Sequence, residues 1–117
     1  MLIEDDKTML SLLSTLLKME GYQVATFANE KSIDELLASL NKEKPDAAMI
    51  DVHLPHINGI DLLSRLRKEP ELKSIRILMS SGLDKSEECK QAGADDFILK
   101  PYMPDELINR IRRVLSV

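Results

Sequence analysis

A single cysteine, Cys89, stands among the 117 residues, so no disulfide can form within the chain and a cross-linked secreted scaffold is excluded. Tryptophan is absent and there are only two phenylalanines and two tyrosines, which leaves the core aliphatic and offers no platform on which bases could stack. No apolar run approaches the roughly 20 residues of a membrane helix, and no charged-then-apolar leader opens the sequence. Neither sign of charge dominates: 16 Lys plus Arg face 20 Asp plus Glu, a net charge of -4, which argues against a dedicated nucleic-acid surface. What remains is 44% hydrophobic residues in a chain long enough for one full core. The expectation is one cytoplasmic domain over residues 1–117.

Apolar residues recur every three to four positions at Met9, Leu12, Leu13, Leu16 and Leu17, predicting a helix from Lys7 to Glu20 that Asp6 caps and Gly21 stops. Asn29 is the expected cap of a second helix, in which Ile33, Leu36, Leu37 and Leu40 face inward and Asn41 with Pro45 close the segment. A third carries Ile60, Leu63 and Leu66 ahead of Pro70, entered by a bend at Asn58 and Gly59, residues that tolerate positive φ. The fourth, Asp84 to Ala92, is the weakest, with only Leu83, Cys89 and Ala92 apolar in or beside it. The last holds Leu107, Ile108, Ile111, Val114 and Leu115 behind Pro104 and Asp105, which suit a first turn, while Met103 stands where a capping side chain is expected. Arg110, Arg112 and Arg113 read as its solvated face, and Cys89 as a packing residue.

Between the helices lie apolar runs too short to be helical: Met1 to Ile3, Tyr22 to Phe27, Ala47 to Ile50, Ile75 to Met79 and Phe97 to Leu99. Strands alternating with helices predict an α/β fold, a doubly wound five-stranded parallel sheet with helices on both faces. A common strand order for this flavodoxin-like arrangement is 2-1-3-4-5, with ligands at the carboxyl ends of strands one and three. At those ends the sequence places Glu4 and Asp5 after strand one, Asp51 after strand three, Ser80 and Ser81 after strand four and Lys100 after strand five. Carboxylates about 5 Å apart repel by roughly 3 kcal/mol at an effective dielectric near 20. A divalent cation is the natural offset, and an all-oxygen set favours magnesium over zinc. A two-histidine metal site at His53 and His56 lacks a third ligand at suitable spacing.

The motifs Leu-Ile-Glu-Asp-Asp at residues 2 to 6, Ile-Asp-Val-His-Leu-Pro-His-Ile-Asn-Gly at 50 to 59, Leu-Met-Ser-Ser-Gly at 78 to 82 and Ala-Gly-Ala-Asp-Asp-Phe-Ile-Leu-Lys-Pro-Tyr at 92 to 102 stand in this order. With them the chain resembles, over essentially its whole length, the receiver domain of bacterial two-component response regulators, of the chemotaxis-regulator kind. The resemblance implies that Asp51 is the phosphoacceptor and that Glu4, Asp5 and Asp51, with the backbone carbonyl of His53, hold magnesium. It implies that Ser80 grips a phosphoryl oxygen, that Lys100 pairs with it, and that Ser80 and Phe97 move together as a switch. A sensor histidine kinase or histidine phosphotransfer protein would be the donor and a downstream output protein or domain the recipient of the signal, with no direct nucleic-acid contact and no membrane insertion. Lys100-Pro101 resembles the family's cis peptide.

Departures from the family pattern accompany the match. The stretch from Ser80 to Lys100 is about two residues shorter than the usual spacing, so the fourth helix is expected to be clipped. The first strand has only three residues before Glu4, which suggests a trimmed boundary or a short strand. Serine stands at residue 80 where threonine is commoner, and Ser81 where alanine often is. Two rival functions remain: an aspartate-nucleophile phosphatase of the haloacid dehalogenase type, which needs a second aspartate where this chain has His53, and a degenerate receiver acting as an interaction module or phosphate sink.

Overall fold

The computed structural model describes residues 1–27 and 32–116. The described elements alternate in chain order: β1 (Leu2–Ile3), α1 (Lys7–Met19), β2 (Thr26–Phe27), α2 (Ile33–Glu43), β3 (Ala47–Asp51), α3 (Gly59–Lys68), β4 (Arg76–Ser81), α4 (Ser86–Gln91), β5 (Asp96–Leu99) and α5 (Pro104–Leu115). The strands form one sheet in the order β2-β1-β3-β4-β5, every neighbour parallel, as expected.

The two-residue alternation of strand side chains divides the core between the sheet faces. Leu2, Met49, Leu78 and Ile98 meet Leu10, Leu13 and Leu17 of α1 and Leu107 and Ile108 of α5. Ile3, Ala48, Ile50, Ile77 and Met79 meet Leu36, Leu37 and Leu40 of α2, Leu62, Leu63 and Leu66 of α3, and Cys89 of α4. Strands covered on both faces explain why their sequences read as continuous apolar runs. Among the described residues no helix is long and apolar enough to cross a membrane.

Helix ends follow their caps. Asp6 caps α1 by accepting from the Met9 N–H, and Gly21 leaves the helix at a φ of 94°. The cap of α2 is Ser32, accepting from the Glu35 N–H, and Asn29, the expected cap, lies outside the described residues. Asn58 is not a positive-φ bend: at φ -82° its side chain accepts from the Ile60 N–H and caps α3. Met103 gives α5 no side-chain capping bond, and Pro104, Asp105 and Glu106 fill its first turn. The helix α4 is clipped to six residues, because Lys85 offers no capping bond and Asp84 spends its carboxylate on Ser86.

One further expectation fails. The strand β2 holds only Thr26 and Phe27 of the expected Tyr22 to Phe27, since β1 beside it contributes only Leu2 and Ile3 to the ladder. Arg112 and Arg113 of α5 are exposed, the solvated face expected, and the stripe is also ion-paired: Arg110 and Arg113 bind the Asp96 carboxylate, Arg110 also donates to the Phe97 carbonyl, and Arg112 pairs with Glu20 of α1. Cys89 is fully buried, a packing residue as expected.

Candidate functional site

Parallel register assembles the site from distant positions. Ile3 lies beside Ile50, so the chain leaving β1 carries Glu4 and Asp5 to the end of β3, where Asp51 is the last residue. Asp51 in turn is in register with Ser80, and Ser81 with Leu99, which delivers Lys100 to the same rim. The Lys100 N–H donates to the Ser81 carbonyl at 2.8 Å, fixing where its side chain departs. The peptide bond from Lys100 to Pro101 is cis.

The Lys100 ammonium bridges two carboxylates, donating to Glu4 Oε2 at 2.7 Å and to Asp51 Oδ2 at 3.0 Å. The other Glu4 oxygen accepts from the N–H groups of Asp5 and Asp6 at 3.1 and 3.3 Å, and Asp51 Oδ1 accepts from the His53 N–H at 3.1 Å. Glu4 is 1% and Asp51 4% exposed, whereas Asp5 is open to solvent. One carboxylate oxygen from each of Glu4, Asp5 and Asp51 lies within 4.8 Å of the others, close enough to share one hard cation. Among the described residues this is the group of metal-ligating side chains that comes together; His53 and His56 are exposed and outside it.

The charge balance explains the acid–base behaviour. Burial pushes Glu4 up to about 7; the Lys100 ammonium pulls it down, and hydrogen bonding with Asp5 and Asp51 together with the Asp51 charge adds to the rise. For Lys100, burial works downward, yet its bonds to Glu4 and Asp51 outweigh this and its pKa is raised. Glu4 therefore holds its proton to higher pH than an ordinary carboxylate, and a cation entering the site would displace it.

The Ser80 hydroxyl is fully buried and meets no hydrogen-bonding group among the described residues. Its neighbour Ser81 is also buried and accepts from the Leu83 N–H at 3.1 Å. Phe97 is half-buried against the α2–α3–α4 core, held by its own N–H on Asp96 and by Arg110 on its carbonyl.

Sequence reasoning missed two features. Gly59 comes so close to the acceptor strand that a Cβ there would lie 2.3 Å from the Asp51 carbonyl oxygen. The signal is the glycine itself at the start of a helix, but a bend into α3 calls for the same residue. The Tyr102 hydroxyl is buried without a partner among the described residues, and burial pushes it up to about 12. Nothing in a sequence distinguishes such a tyrosine from any other core aromatic.

A family model for the response regulator receiver domain matches residues 1–112. The chain is 37% identical to Protein RcaC of Microchaete diplosiphon over 119 residues, covering 99% of this chain and 18% of that protein. It is 33% identical to the phosphate regulon transcriptional regulatory protein PhoB of Rhizobium meliloti, covering 97% of this chain and 50% of that one. Its fold superimposes on the chemotaxis response regulator CheY4 of Vibrio cholerae with a TM-score of 0.87 at 29% identity, covering 97% of this chain and 95% of that one. The chain thus spans half or less of those two curated relatives.

Proposed function

The chain belongs to the response regulator receiver family, a family of signalling domains, and from that premise we propose that Asp51 is its phosphoacceptor. The observation that carries this reading is the Lys100 ammonium, held between Glu4 and Asp51, with the buried Ser80 hydroxyl, which has no partner among the described residues, in register with Asp51. An ammonium bonded to Asp51, with an unpaired hydroxyl on the residue in register with it, has little use in a resting scaffold and an evident one for a phosphoryl group placed on that carboxylate.

A carboxylate oxygen of Asp51 attacks phosphorus while the bond to the donor atom breaks, the leaving group departing with the electron pair. The donor is a phosphohistidine on a sensor histidine kinase or histidine phosphotransfer protein. Lys100 shifts from its carboxylates toward a phosphoryl oxygen, and the Ser80 hydroxyl donates a hydrogen bond to another. The His53 N–H keeps Asp51 oriented by its bond to Oδ1. The clustered carboxylates of Glu4, Asp5 and Asp51 are hard oxygens that fit magnesium and would hold it, with the His53 carbonyl as a further ligand, and the ion would neutralise the transferring charge. The same residues serve hydrolysis of the acyl phosphate, so the domain is a phosphoacceptor with self-dephosphorylation and not an enzyme acting on other substrates.

Residues 1–117 act as one cytoplasmic receiver domain in this reading. The signal leaves through the surface of α4, β5 and α5 as Ser80 turns toward the phosphate and Phe97 moves inward, toward an output protein or domain. Intact-mass measurement after incubation with acetyl phosphate and magnesium tests the assignment. One phosphoryl adduct is expected on the wild type and none on Asp51→Asn; a stoichiometric adduct on the variant would move the acceptor elsewhere, and a wild type that never labels would leave the degenerate-module reading in its place.

A further inference from the structure

The proposed response involves two stretches, α4 with the loop that enters it and Phe97 in β5, and residues 92–95 lie between them. One side chain outside the acceptor site holds that junction. Arg67, in the last turn of α3 with its side chain 20% exposed, donates from Nε to the Gly93 carbonyl at 2.9 Å and from Nη2 to Asp95 Oδ2 at 2.9 Å. Its Nη1 donates to the Lys73 and Ile75 carbonyls at 2.8 and 2.6 Å, which ties the junction to the chain ahead of β4. A guanidinium suits this task because its N–H groups lie fixed in one plane and it stays charged, so one rigid group holds several acceptors.

Further contacts tighten the same point. Asp95 Oδ2 also accepts from the Ile77 N–H at 2.7 Å, and the Asp95 N–H donates to the Ile77 carbonyl at 2.9 Å. Gly93 has a φ of 107°, and a Cβ there would stand 3.0 Å from Arg67 Cγ, so the arginine stem lies against the backbone. The two ends of α4 therefore differ. At its C-terminal end the N–H groups of Ala92, Gly93 and Ala94 bond back to the carbonyls of Glu88, Lys90 and Cys89, and Cys89 is fully buried. Its N-terminal end has no side-chain capping bond at Lys85 and is reached from Ser80 and Ser81, at the rim where Ser80 is in register with Asp51.

We propose that Arg67 makes residues 93–95 a fixed pivot, so that loading Asp51 swings α4 from the end entered through residues 81–85 and moves Phe97 while the junction between them stays still. Arg67 is thus a positioning residue, acting through the junction and not on the phosphoryl group. The inference rests on the phosphoacceptor reading given above.

The test follows amide resonances of wild type, Arg67→Lys and Asp95→Asn through titration with beryllofluoride and magnesium, beryllofluoride standing in for the phosphoryl group on a carboxylate. Amide hydrogen exchange is measured on the same proteins without ligand. In the wild type, shifts are expected at residues 81–86 and around Phe97, with a minimum at residues 93–95. Arg67→Lys keeps the charge but offers one nitrogen to all these acceptors, so residues 93–95 are expected to shift on loading and the amides of residues 92–95 to exchange about tenfold faster in the free protein. Asp95→Asn, the milder change, is expected to act in the same direction to a smaller extent. Wild-type shifts at residues 93–95 as large as those at 81–86, or folded variants that keep both the minimum and the slow exchange, would overturn the proposal. A wild type that binds no beryllofluoride would refute the phosphoacceptor reading, and the exchange measurement, which needs no ligand, tells that failure from a clamp that does not hold.

Discussion

Replacing Gly59 with alanine places a methyl group against the backbone of the acceptor strand. The added Cβ would stand 2.3 Å from the Asp51 carbonyl oxygen and 2.9 Å from the Val52 Cα. A carbon needs roughly 3.3 Å from a carbonyl oxygen, so the start of α3 and the end of β3 must part by about 1 Å. Neither side is a flexible side chain, and the Gly59 N–H bond to the Val52 carbonyl, 2.8 Å long, stretches as they part. Overpacking of this kind costs about 1–3 kcal/mol, and backbone contacts put it at the upper end. For a domain of this size that is a fall of roughly 10 °C in melting temperature. Because the displaced peptide carries Asp51, a shift near 1 Å should also slow phosphoryl labelling by up to about a hundredfold. Thermal melts and the initial rate of acetyl phosphate labelling, followed by intact mass, read the two effects. Gly21→Ala is the control: Gly21 has a φ of 94° but open space around it, so strain should cost about 1 kcal/mol with labelling unchanged. A Gly59→Ala protein that melts and labels like the wild type would refute the close-approach argument.

Other outcomes follow from the same geometry. Asp5→Asn removes one of three clustered carboxylates and should weaken magnesium binding by at least about tenfold in a direct titration; unchanged affinity would misplace the site. Burial works to raise the Asp96 pKa, but its hydrogen bonds from Arg113 and the Phe97 N–H and the nearby Arg110 charge prevail and lower it below the usual 3.8. The stability this contributes is therefore present above about pH 3.8 and lost as pH falls through the lower folded value. Urea midpoints of wild type and Asp96→Asn should thus differ most at pH 6 and draw together as pH falls below 3.8; a constant gap would refute the linkage. Beryllofluoride should shift amide resonances from Ser81 to Ala92 and around Phe97 more than those of Ile33 to Leu40. Changes confined to the Asp51 loop would point to a phosphate sink without a conformational output.

The sequence by itself determined the alternation of five strands and five helices, because buried parallel strands and amphipathic helices each impose a period that single residues cannot hide. It also determined the chemistry of the rim. Glu4, Asp5, Asp51, Ser80 and Lys100 are polar residues at the ends of apolar runs, and a parallel sheet leads all such ends to one side. What tertiary structure alone decided depends on through-space neighbours. That Lys100 sits between Glu4 and Asp51 follows from a register between strands 49 and 96 residues apart in sequence. The short β2 reflects how little of β1 lies beside it, and the arginines of α5 became clamps because Asp96 and Glu20 face them. Gly59 was visible as a glycine, but its purpose was not: a tight turn and a close backbone approach call for the same missing Cβ, and only the distance to Asp51 tells them apart.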